Sequence, residues 1–82
     1  MDPRFVALLA ETLPLVGDRP VTTDDRLRDL GMDSMLAVEL LVAIEEVFAV
    51  ALPDEELNET TFATAGSLWA AVANALAAQQ PA

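Results

Sequence analysis

Residues 30 to 40 read Leu30-Gly31-Met32-Asp33-Ser34-Met35-Leu36-Ala37-Val38-Glu39-Leu40. A single serine hydroxyl stands there beside a carboxylate, at the point where an amphipathic helical period begins. A catalytic serine needs a base to take its proton. The chain has no histidine, so a Ser-His-Asp triad is impossible and the usual general base at neutral pH is missing. All four basic residues are arginines, so Schiff-base chemistry is absent. Without cysteine there are no disulfides, thiolate metal sites or thiol redox chemistry. Ser34 therefore lacks the means to be a catalyst, but it can be an attachment point. Position alone also suits a plainer role, because serine and aspartate are favoured helix N-caps.

With 82 residues, a single domain over 1–82 is expected. A domain of this size buries only about 60–65% of its unfolded surface. The 54% hydrophobic content is ample for a core and too high for a disordered segment. The net charge is −10, from 14 acidic residues and four arginines. Such a field repels nucleic acid and anionic membrane surfaces, so neither is an expected partner. Arg4, Arg19, Arg26 and Arg28 all lie in the first 28 positions, and no basic residue follows. From Gly31 to Ala82 there are eight acidic residues and no basic one, and that part should attract basic partner surfaces. The plainer reading is that acidity keeps a small apolar protein dissolved. The amino terminus lacks a basic signal-peptide region, and no uncharged apolar run approaches the ~20 residues that span a bilayer. A soluble, cytoplasmic monomer is expected.

The elements that must position Ser34 are helices. Asp2 and Pro3 suit the start of a first helix ending near Leu13, with Phe5, Leu8, Leu9 and Leu13 on its apolar face. Pro14, Gly17, Pro20 and Thr22-Thr23-Asp24-Asp25 make residues 14–33 a long first loop, which Val21, Leu27 and Leu30 should pin to the core. A second helix is predicted from Asp33 or Ser34 to about Val50, with Ala37, Leu40, Leu41, Ile44 and Phe48 inward. Its opposite side carries Met35, Val38, Glu39, Val42, Glu45 and Glu46. That mixed apolar and acidic stripe suits basic docking partners, and reversing Glu39 or Glu45 to Lys should leave the melting temperature almost unchanged. Leu52-Pro53-Asp54-Glu55-Glu56 should turn the chain, and Thr60 to Ala63 should form one short helical turn with Phe62 inward. Thr64 then caps a last helix over about 65–78, with Leu68, Val72 and Leu76 spaced four apart and Trp69 and Ala75 alongside. Residues 79–82 should fray. The sum is an all-α bundle of three longer helices, one short helix and a long first loop.

From Leu30 to Glu56 the chain resembles the acyl carrier proteins. The residues that carry the resemblance are Leu30-Gly31-Met32-Asp33-Ser34-Met35, Val38-Glu39-Leu40, Ile44-Glu45-Glu46-Val47-Phe48 and Leu52-Pro53-Asp54-Glu55-Glu56. The resemblance implies that Ser34 receives 4′-phosphopantetheine from coenzyme A, through a phosphopantetheinyl transferase. It implies a non-catalytic carrier that holds an acyl or aminoacyl group as a thioester. Asp33 is then expected to contact the modifying enzyme or its metal, since its charge would repel the phosphate. Asp33, Met35, Val38, Glu39, Val42, Glu45 and Glu46 become the expected partner face. The partners would be an acyltransferase or adenylating loading enzyme, and a ketosynthase or other acyl-processing enzyme. No metal ligand set is expected in the chain itself.

Housekeeping fatty-acid carriers usually have Leu and then an acidic residue after the serine, where this chain has Met35 and Leu36. The stretch from Thr60 to Trp69 looks more like discrete carriers of polyketide and mixed peptide–polyketide natural-product pathways, and the Ala-rich, Lys-free composition looks like that of a high-GC bacterial gene. Within the family, a peptidyl carrier of nonribosomal peptide synthesis and a housekeeping fatty-acid carrier stay open. Peptidyl carriers usually have Gly where Met32 stands, and are less acidic. Outside it, the alternative is a helical adaptor that bears no arm and whose Ser34 is only a cap.

Overall fold

Asp2 caps the first helix, α1 (Pro3–Thr12), by accepting a hydrogen bond from the backbone N–H of Arg4 at 2.8 Å. Pro3 fits the first helical position, where no backbone donor is needed. The helix stops at Thr12, before Leu13-Pro14, because a residue preceding proline is driven to extended geometry. The computed structural model describes residues 1–79. Residues 80–82 of the expected frayed tail lie outside the described residues. Gln79 belongs to the last helix instead, and its amide donates to the carbonyl of Ala49 at 2.8 Å.

The second helix, α2, spans Ser34–Phe48, two residues short of the sequence expectation. Ala49 takes a left-handed conformation (φ 54°), and the N–H of Val50 closes the turn on the carbonyl of Glu45 at 3.2 Å. That turn sends Val50 and Leu52 into the core. The short helix falls at Asp54–Glu56, as a 3₁₀ turn, and not at Thr60–Ala63. Asn58 explains the difference. Its side chain accepts from the N–H of Thr61 (2.8 Å) and donates to the carbonyl of Glu55 (2.7 Å), which replaces helical bonds with a side-chain-braced turn. The last helix, α3, spans Ala65–Gln79. Thr64 caps it as expected, through a reciprocal pair with Ser67: each backbone N–H donates to the other's hydroxyl at 3.0 Å.

Phe5, Leu9, Leu40, Ile44, Phe48, Leu68 and Val72 form the shared core of the three helices. Trp69 lies between Phe5 and Phe48, with ring centroids 5.2 and 5.8 Å away, and is half-buried. The first loop is pinned as its apolar residues require: Val21, Leu27 and Leu30 are buried, joined by Val16. Backbone bonds then tie it to the entrance of α3. Leu27 donates to Ala63 at 3.1 Å, Ala65 to Asp25 at 2.9 Å, and Gly66 to Thr23 at 3.0 Å. Gly66 is required for this approach, since a β-carbon there would stand 2.8 Å from the Thr23 carbonyl oxygen. Among the described residues no strand forms, only an isolated bridge between Arg26 and Thr64.

Candidate functional site

Gly31 sets the approach to Ser34. Its φ of +97° is open to glycine and strained for other residues, and a β-carbon would meet the Pro14 ring at 2.8 Å. Met32 then packs against the core and Asp33 turns outward. Asp33, not Ser34, is the cap of α2: its carboxylate accepts from the N–H of Leu36 at 2.8 Å. Ser34 is the first helical residue and is exposed. Its hydroxyl has no hydrogen-bond partner among the described residues, and neither do the N–H groups of Ser34 and Met35. A reachable hydroxyl therefore stands at the positive end of a helix, beside two open backbone donors. An anion attached at this oxygen is electrostatically favoured. The residues fit a phosphodiester, and the bond between Asp33 and Leu36 shows why a carboxylate is tolerated next to it.

Beside Ser34 opens a cleft of about 1120 Å³ between α2 and the segment leading into α3. Met32, Ala37, Val38 and Leu41 line it from one side, and Leu57 and Phe62 from the other. Arg26 and Arg28 stand on its wall. The helical period could not find these loop residues, because their placement depends on the pairing of the first loop with Ala63 and Thr64. The visible signal was the concentration of arginines just upstream of the Asp-Ser pair.

Met35 (73% exposed), Val38 (61%) and Val42 (48%) lie at the surface, as the wheel expected, and Asp33, Glu39 and Glu46 are exposed as well. Glu45 behaves differently. It is half-buried, and one carboxylate oxygen accepts from the N–H of Leu52 at 3.1 Å, so it braces the turn that follows α2. Met1, Leu15, Val47 and Leu57 are further exposed apolar residues, which the helical wheel did not assign to the surface stripe. No described helix is long and apolar enough to cross a membrane.

Comparison with known proteins agrees with this geometry. Residues 3–72 match the family model described as the phosphopantetheine attachment site. An acyl carrier protein of Treponema pallidum is 46% identical over 57 residues, covering 68% of this chain and 72% of the relative. A mitochondrial acyl carrier protein of Dictyostelium discoideum is 39% identical over 46 residues, 56% of this chain and 38% of the relative. The 3-methylorcinaldehyde synthase tropA of Talaromyces stipitatus is 34% identical over 61 residues, 72% of this chain but 2% of that protein. In solved structures, a similar chain occurs in the complex of an engineered Bradyrhizobium japonicum glycine:[carrier protein] ligase with a carrier protein from Agrobacterium tumefaciens and AMP. It has a TM-score of 0.74 and 28% identity, over 89% of this chain and 99% of that one. The match over residues 3–72 and the 46% identity to a carrier together decide the assignment: the chain belongs to the acyl carrier protein family, whose members are non-catalytic and bear 4′-phosphopantetheine covalently.

Proposed function

We propose that Ser34 is the residue that bears the arm, and that the chain acts as one carrier unit, presenting an acyl or aminoacyl thioester to the enzymes of a polyketide or related natural-product pathway. The observation that carries this reading is the exposed, uncommitted hydroxyl of Ser34 at the first position of α2. The arm supplies a thiol, whose thioester keeps the carbonyl reactive and tethered at high effective concentration. The protein's own part is to hold the arm's root and to dock. Met35, Val38 and Val42 offer the apolar contact, with Asp33, Glu39 and Glu46 as acidic rim. Glu45 contributes the second oxygen of a carboxylate already anchored to Leu52. Partners with basic surfaces around an apolar patch fit this face: the transferase, a loading acyltransferase or adenylating enzyme, and a ketosynthase or other acyl-processing enzyme. A cytoplasmic monomer is the setting we propose.

Met35-Leu36 after the serine, the segment from Thr60 to Trp69 and the likeness to a region of the orcinaldehyde synthase support the polyketide direction. A second reading, an aminoacyl carrier, is favoured by the likeness to chains from two solved complexes of a glycine:[carrier protein] ligase, one described with a glycylated carrier protein. The deciding experiment is incubation with coenzyme A, Mg²⁺ and a broad-specificity transferase, followed by intact mass and peptide mapping. One phosphopantetheine on Ser34 is expected, and none on Ser34→Ala. An unmodified wild type, or an arm on another residue, would overturn the assignment. The mass of the loaded form recovered from the native host separates acyl from aminoacyl cargo.

A further inference from the structure

The chain holds four arginines against 14 acidic residues. Two of them are committed: Arg4 pairs with Asp2 at 3.1 Å, and Arg19 with Asp25 at 3.0 Å. Arg26 and Arg28 have no carboxylate within pairing distance among the described residues. Both line the cleft that contains Ser34, together with Asp29, Asp33 and Glu59. Their backbone is fixed there. Between them Leu27 is fully buried and bonded to the Ala63 carbonyl, Arg26 is bridged to Thr64, and the carbonyl of Arg28 accepts from the N–H of Gly31 at 3.0 Å. An inward Leu27 thus sends the flanking arginines outward on the cleft wall.

We propose that Arg26 and Arg28 form an anion subsite on the wall of the Ser34 cleft that clasps the phosphodiester of the arm, an inference that rests on Ser34 being the attachment residue. Attachment adds a negative charge to a protein already at −10, in a cleft where Asp29, Asp33 and Glu59 also stand. The two open N–H groups at the start of α2 answer part of that charge, and two uncommitted guanidiniums answer the rest. Guanidinium forks match phosphate oxygens in geometry and hold their charge at any working pH. Clasping the phosphodiester at the wall directs the arm along the apolar cleft floor between Leu41 and Phe62, which sets where the thioester is first presented.

The test compares melting temperatures of the apo and holo forms of wild type and of the Arg26→Gln/Arg28→Gln variant, each variant serving as its own reference. Intact mass and peptide mapping confirm the arm in every sample. The holo-minus-apo change in Tm is expected to be more favourable in wild type by about 1–5 °C at low salt, the scale of exposed charge pairs in a small domain. The difference should collapse at about 1 M salt, where charges are screened within about 3 Å. The phosphorus NMR resonance of the arm should shift between wild-type and variant holo-proteins, and each single substitution should produce part of that shift. Arg19→Gln, which removes a cation outside the cleft, should leave both readouts as in wild type. Equal increments and an unmoved resonance in the double variant overturn the subsite, as does an equal effect of Arg19→Gln. An effect seen only when the arm carries a thioester with a free carboxylate assigns the arginines to cargo and overturns the phosphodiester clasp. A wild type that gains no arm on Ser34 removes the attachment reading and the subsite together, which distinguishes that failure from a modified protein with equal increments.

Discussion

The carboxylate of Asp33 accepts a hydrogen bond from the N–H of Leu36 at 2.8 Å, and this bond leaves the neighbouring Ser34 hydroxyl without structural duty. Of two adjacent residues that could each have capped α2, aspartate does so and serine is exposed as the first helical residue.

Ser34→Ala should therefore abolish modification while leaving stability within about 0.5 kcal/mol of wild type, as for other surface changes. Asp33→Ala should destabilise by about 0.5–2 kcal/mol through loss of the cap. Urea unfolding of both apo variants checks this. A Ser34→Ala loss as large as that of Asp33→Ala would return the capping role to the serine.

Glu39 and Glu45 share a helix side and should respond differently to charge reversal. Glu39→Lys should leave Tm unchanged and slow acyl transfer by the natural loading enzyme, with the loss shrinking as salt rises. Glu45→Lys should cost about 1–3 kcal/mol, because it strands the part-buried N–H of Leu52. Glu45→Gln keeps an acceptor for that N–H and should restore most of the stability. Val42→Asp should weaken loading at every ionic strength, since it charges the centre of an apolar contact. Transfer rates at low and high salt, set beside thermal melts, separate these effects.

Phe48 is buried against Trp69, with the Arg4 guanidinium 4.7 Å above its ring. Phe48→Ala should cost roughly 3–5 kcal/mol, a large share of what a small domain possesses. A thermal melt matching wild type would contradict the packing of α2 on α1 and α3.

Acid should loosen the first loop. The N–H of Thr22, and then the Arg19 guanidinium, hold the Asp25 carboxyl below its ordinary value of 3.8. The unfolded chain therefore binds the proton more readily, so this stabilisation is complete above the unfolded value and is lost as pH falls through the depressed one. The Asp25→Asn variant should show a weaker fall in its urea midpoint as pH drops from neutral to below the ordinary aspartate value of 3.8. An unchanged slope would mean that the Asp25 clasp does not outlast folding in solution.

The helical periods of Phe5-Leu9, Leu40-Ile44-Phe48 and Leu68-Val72 were legible in the sequence, because burial on one face imposes a spacing that any reader of the chain can count. The Asp-Ser pair and its surrounding motifs were equally legible, and so was the pinning of the first loop by Val21, Leu27 and Leu30. Tertiary structure decided what depends on competition between near-equal local choices. Asp33 and Ser34 are both good caps, and only the geometry at Leu36 selects one. Asn58 braces a turn where backbone propensity alone suggested helix, and moves the short helix to Asp54–Glu56. Glu45 looks like a surface carboxylate on a wheel, yet the left-handed turn at Ala49 brings the N–H of Leu52 against it. Arg26 and Arg28 come to the Ser34 cleft because loop and helix entrance pair across Leu27 and Ala63, residues 36 positions apart. Sequence spacing records contacts along one element, whereas contacts between distant segments form only when the whole chain closes on its core.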